Sequence, residues 1–122
     1  MILGKRTLIL GASTDPSRYS FMAANRLVQH GHEIIPVGIK GGSVAGTEIL
    51  PTIDGIEKIH TVTMYLSPKN QEQYEDFLQN LHPERVIFNP GSENPELMQK
   101  LTDQSIEVLE ACTLIMLGTG QY

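Results

Sequence analysis

Five short apolar runs alternate along this chain with segments whose apolar residues recur at helical spacing. The runs are Arg6 to Leu10, Glu33 to Val37, Thr61 to Leu66, Arg85 to Phe88 and Ile106 to Leu109. Each has the length of a strand, and continuous apolar runs of that length suit strands buried on both faces. Phe21 to His30 carries Phe21, Ala24, Leu27 and Val28 at helical spacing, and Gly31 stops it as a residue just past a helix end. Ser67-Pro68 and Asn94-Pro95 each pair a capping residue with a proline suited to the first helical position. They predict helices to about Leu81, with Tyr74, Phe77, Leu78 and Leu81 on one face, and to about Gln104. Lys40 to Asp54 is loop-like, with Gly41, Gly42, Gly46 and Pro51 and room for a turn of helix at Ile49 to Ile53. The tail from Cys112 to Leu117 is apolar enough to pack as a short helix or a strand, either completing the core or forming a dimer contact. This alternation predicts an α/β protein: one Rossmann-like domain over residues 1–122, with a five-stranded, mainly parallel sheet of order 3-2-1-4-5 and helices on both faces.

Composition narrows the function classes. A chain of 122 residues with 40% hydrophobic and 19% charged residues can bury a core without staples. Its formal charge of −5 disfavours nonspecific binding to nucleic acid or to anionic membranes. Cys112 is the single cysteine, so no intrachain disulfide forms, which fits a reducing cytoplasm. Met1-Ile2-Leu3-Gly4-Lys5 lacks the pattern of a secretory leader, and no apolar run is long enough to span a membrane.

In a sheet of this kind ligands bind beyond the carboxyl ends of the strands. The first such end is Gly11-Ala12-Ser13-Thr14-Asp15-Pro16-Ser17-Arg18-Tyr19-Ser20, a small-residue loop between strand and helix. Gly11 tolerates positive φ and leaves room for a phosphate, Ser13 and Ser20 offer hydroxyls, and Arg18 is a fixed cation able to grip a phosphate. The other reading is a tight turn with an exposed arginine. Strand two ends Val37-Gly38-Ile39 without the acid that NAD enzymes place against the ribose, and Lys40 follows. A cation there suits a ligand with an extra ribose phosphate, the 2′-phosphate of NADP or the 3′-phosphate of coenzyme A. The alternative is a solvated surface lysine. Of the Gly-x-Gly-x-x-Gly pattern only Gly11 is present, since Ser13 and Pro16 stand at the later positions, which argues against a dehydrogenase.

The chain resembles the small bacterial coenzyme A-binding domain proteins, stand-alone relatives of the CoA-binding domain of succinyl-CoA synthetase α subunits. Gly11-Ala12-Ser13, Pro16, Arg18 and Ser20 match that family's opening pattern in full. Gly31, Ile35-Pro36-Val37, Gly46, Asn89-Pro90-Gly91 and Cys112 also fall where the family has them, so the resemblance covers nearly the whole chain. It implies that Gly11, Ala12, Ser13, Arg18 and Ser20 cradle the phosphates of coenzyme A and that Lys40 meets its 3′-phosphate. Val37 would lie on the adenine side, Leu66, Ser67 and Pro68 along the adenine or pantetheine path, and Asn89 and Gly91 beside the pantetheine arm. Three positions depart from the family. Gly38-Ile39 replaces the usual Asn-Pro, Ser67 stands where an arginine is common, and Ala111 replaces the arginine of Asp-Arg-Cys. Lys40-Gly41-Gly42 resembles instead the Lys-Gly-Gly of the synthetase α subunits.

The acid–base inventory is thin. His30, His32, His60 and His82 fall at element ends on the amino edge of the sheet, away from the expected site. No pair of histidines or cysteines has metal-ligand spacing. Glu93 and Glu110 reach the edge of the site, but a helix-start acid and a strand-end charge account for them. Cys112 lies on the ligand edge, where a mixed disulfide with CoA is chemically feasible; the favoured reading is a small buried apolar residue. The expectation is a non-catalytic module for CoA or acyl-CoA, acting alone, as a homodimer or beside a partner enzyme. The alternatives are an NADP-linked oxidoreductase domain and an interaction scaffold that has lost its ligand.

Overall fold

The computed structural model describes residues 4–122; Met1 to Leu3, part of the segment read above for a leader, lie outside the described residues. Strand β1 is Thr7–Leu10, helix α1 Tyr19–Gln29 and strand β2 Ile34–Val37. A two-stranded hairpin follows, β3 Ser43–Val44 and β4 Thr47–Glu48, and then strand β5 Thr61–Met64. Helix α2 (Pro68–Gln71), a 3₁₀ turn (Glu72–Tyr74) and helix α3 (Glu75–Leu81) lead to strand β6 Arg85–Phe88. Helix α4 (Pro95–Asp103), strand β7 Glu107–Glu110 and helix α5 (Thr113–Gly118) complete the chain.

The five main strands are all parallel and stand in the order β2-β1-β5-β6-β7. The fold class is therefore as expected, a Rossmann-like α/β sheet, but the third main strand pairs with β1 rather than with β2. Pro36 supplies the reason. The carbonyl of Pro36 and the N–H of Gly38 point to the outer edge, where they bond only Leu50. Proline has no N–H to offer a further strand on that side, so β2 belongs at an edge. The residues 49–53 segment is likewise no helix: Leu50 bridges to Val37, and the hairpin precedes it.

Alternation along the strands sends side chains into two cores. Leu8, Leu10, Val62, Met64, Val86 and Phe88 pack against Leu78 of α3 and Leu97 and Leu101 of α4. Ile9, Ile34 and Ile87 pack on the other face with Ala24 and Leu27 of α1 and Met116 and Leu117 of α5. The apolar tail thus completes the core as a helix, although Ile115 stays exposed. Val28, expected on the core face of α1, is also exposed.

Candidate functional site

Two buried side chains hold the carboxyl edge of the sheet in shape. Asn89, at the end of β6, donates its amide to Thr63 Oγ1 at 2.8 Å and to the Met64 carbonyl at 3.0 Å, and accepts from the Thr113 N–H at 2.8 Å. Gln71 is fully buried; its Nε2 donates to the carbonyls of Leu66 (2.8 Å) and Ser92 (2.7 Å), and its Oε1 accepts from Asn94 Nδ2 (3.0 Å). The loops after β5 and β6 are thereby tied to each other. A fully satisfied polar network of this kind rigidifies what it joins.

Above this floor lies a cleft of about 780 Å³. It straddles the ends of β1 and β5, the point where consecutive connections leave in opposite directions across the sheet. Gly11, with φ of +96°, starts the β1–α1 loop, and both its N–H and that of Ala12 donate to the Val37 carbonyl at 3.0 and 2.9 Å. This pins the loop across the end of β2. Asp15 N–H donates to Ser13 Oγ at 3.0 Å, and Arg18 N–H to the Asp15 carbonyl at 3.0 Å, closing the turn from which α1 starts.

At that start Arg18 occupies the N-cap position and makes no side-chain cap bond. The first turn of α1 opens on the cleft, where its backbone donors and its dipole favour an anion. Ser20 is only 4% exposed, lines the cleft, and its hydroxyl bonds to no other described residue. Arg18 is largely exposed, with its Nε 3.9 Å from Asp15 Oδ2. Lys40 stands on the turn closed by Gly41 N–H to the Gly38 carbonyl, and Gly42 beyond it packs against the methyl group of Thr14. Both cations line the same cleft.

Ten of the residues expected from sequence line the cleft: Gly11, Ala12, Ser13, Arg18, Ser20, Val37, Lys40, Leu66, Ser67 and Gly91. Pro68 and Asn89 do not. Pro68 begins α2, and the Asn89 amide is committed to the network beneath. Ser67 makes no side-chain cap bond, contrary to the cap role read for it. The cleft also takes in Tyr65, Asn70, Gln73 and Tyr74, which sequence reasoning missed as site residues. Asn70 and Gln73 follow Ser67 at three-residue steps, a spacing that could have marked one polar stripe. Burial pushes the Tyr65 phenol up to about 12. Cys112, half-buried, lies in a neighbouring groove of about 220 Å³ with Glu93 and Glu110, joined to the cleft at Pro90. Glu93 is tied down, accepting the Gly91 N–H at 2.8 Å.

A parallel sheet with an open cleft at its switch point is the architecture shared by nucleotide-binding α/β proteins. Within that class, residues 5–118 match the CoA binding domain family, and the chain belongs to it. No curated protein matches the chain. A crystal structure of an uncharacterized protein is 48% identical and superposes with a TM-score of 0.94, covering 98% of each chain. A structure from Thermus thermophilus (22% identity, TM-score 0.85, 98% of this chain and 91% of that one) shares the fold. So does a hypothetical protein from Pyrococcus horikoshii (24% identity, TM-score 0.86, 96% and 84%).

Proposed function

We propose that this protein binds coenzyme A, free or acylated, in the cleft, as a non-catalytic module of the cytoplasm. The observation that carries the reading is the uncapped start of α1, with the unpartnered Ser20 hydroxyl inside it and Arg18 and Lys40 at its border. Membership in the CoA binding domain family makes coenzyme A the polyanion of choice. The pyrophosphate takes the α1 corner and Arg18, and the 3′-phosphate takes Lys40. Tyr19 and Ile39, 68% and 79% exposed, stand at the cleft as apolar surfaces for a planar base. The pantetheine arm then runs past Leu66 and Ser67 toward Gly91, a span of roughly 10 Å across the two strand spacings from β1 to β6. The four histidines support a binding rather than a catalytic role. His32 and His60 precede strands and His82 follows α3, all at the amino edge, and His30 ends α1 there. Among the described residues no helix is long and apolar enough to cross a membrane, and no cluster of metal-ligating side chains occurs.

The test is a calorimetric titration of the wild type and of the Arg18→Ala, Lys40→Ala double variant with CoA. Two charge-assisted phosphate contacts are lost, so affinity is expected to fall by more than about tenfold. Equal affinity of the two proteins would overturn the site.

A further inference from the structure

One acidic side chain stands beside a cation of the cleft, although it does not itself line the opening. Asp15 Oδ1 accepts from the Ser17 N–H at 2.9 Å and from Ser17 Oγ at 2.8 Å. Its Oδ2 faces Arg18 Nε at 3.9 Å. The bonds from Ser17 hold this carboxyl below the usual carboxylate range, and the positive charges of Arg18 and Lys40 pull it the same way. It is therefore ionised throughout the neutral range, next to Arg18, a cation that lines the cleft.

This position does two things of opposite sign. As an acceptor, the Asp15 side chain fixes the turn that leads into α1 and so the place of Ser17 and Arg18. As a charge, it offsets part of the field that Arg18 presents to a phosphate. Neither Ser13 nor Ser17, its loop neighbours, carries a charge that could do the second.

We propose that Asp15 sets the affinity of the cleft: an internal counter-ion that competes with ligand phosphate for Arg18 while its hydrogen bonds to Ser17 keep the loop in shape. The proposal rests on the CoA reading above. It makes the cleft a weaker, more readily reversible binder than its cations alone would give. Asparagine separates the two roles, because its Oδ1 accepts the same two bonds without the charge. Alanine removes both.

The experiment titrates wild type, Asp15→Asn and Asp15→Ala with CoA, dephospho-CoA and inorganic pyrophosphate, at low and at high salt. Asp15→Asn is expected to bind CoA about threefold more tightly than wild type, as for removal of one exposed like charge. The gain should be of similar size for CoA and dephospho-CoA, which share the pyrophosphate, and should shrink in high salt. Asp15→Ala should bind CoA at least about threefold more weakly than Asp15→Asn, since two loop hydrogen bonds are gone. Asp15→Asn binding CoA no more tightly than a wild type that does bind it would overturn the counter-ion role. Equal affinities of the two variants would overturn the loop role. A wild type that ignored CoA, with pyrophosphate bound more tightly by Asp15→Asn, would sink the CoA reading and leave the counter-ion role standing. A wild type that bound neither would overturn both.

Discussion

Gly38 takes up no left-handed backbone; what it supplies is room. A Cβ built there would overlap the carbonyl oxygen of Ala12, because the β1–α1 loop crosses directly over the end of β2. In the sequence this glycine stands out only as a departure from the Asn-Pro of related chains. Its role was not legible, since a steric contact between residues 26 positions apart leaves no local pattern. Gly11 was legible, because a glycine that ends an apolar run and opens a phosphate loop signals a positive φ, and it has one. Gly38→Ala is expected to shift the Ala12 carbonyl and with it the loop. The strain should cost about 1–3 kcal/mol of stability, read by urea unfolding, and should weaken CoA binding in the same protein. Unchanged unfolding and unchanged affinity would show that the loop yields freely.

At the scale of elements, the strands and the long helices follow from apolar runs and proline caps. Asn94 does cap α4, accepting the Leu97 N–H at 3.3 Å. The β3–β4 hairpin was not legible. Its turn places Ala45 at φ 50° and Gly46 at φ 75°, and an alanine in the first position hides the Asn-Gly signal that such turns usually carry. Nor was the break between α2 and α3, where a 3₁₀ turn brings Tyr74 to the cleft. The strand order, by contrast, could have been read from Pro36.

The amino ends of β2 and β5 carry a titratable pair. Burial holds the His32 ring below its ordinary pKa, and its Nδ1 accepts the Lys5 N–H at 2.9 Å, which the neutral ring alone can do. Burial lowers His60 as well, against the pull of Glu84, whose Oε2 lies 3.0 Å from Nε2. Both histidines bind protons more weakly folded than unfolded. The stability they confer is present above the unfolded value of about 6.5 and is lost as pH falls through the lower folded values. Melting temperature should therefore drop as pH is taken from 7 toward 5, and a His32→Gln, His60→Gln variant should show a flatter profile over that window. An equally steep profile in the variant would remove the histidines as the cause.

Across the whole molecule the two edges of the sheet divide the work. At the amino edge Arg85 is buried, its Nε donating to Thr61 Oγ1 at 2.8 Å and its Nη2 to the Tyr122 carbonyl at 2.8 Å, with its guanidinium 4.4 Å from the Tyr122 ring centre. That edge is closed by satisfied contacts. The carboxyl edge is braced from below by Asn89 and Gln71 but left open above, with an uncapped helix start and two exposed cations. Asn89 shows how a residue can be placed in the right neighbourhood by sequence and still be misread. It sits beside the cleft, but its side chain builds the floor rather than touching the opening.

Coenzyme A seated in the cleft with its 3′-phosphate on Lys40 is the complex we propose. The most direct measurement is a calorimetric titration of the wild-type protein with CoA, dephospho-CoA and NADP in parallel. One saturable site for CoA, weaker binding of dephospho-CoA, and weaker binding still of NADP are expected. Equal affinity for CoA and dephospho-CoA would contradict the role of Lys40, and a response to NADP alone would contradict the assignment of the cleft to coenzyme A.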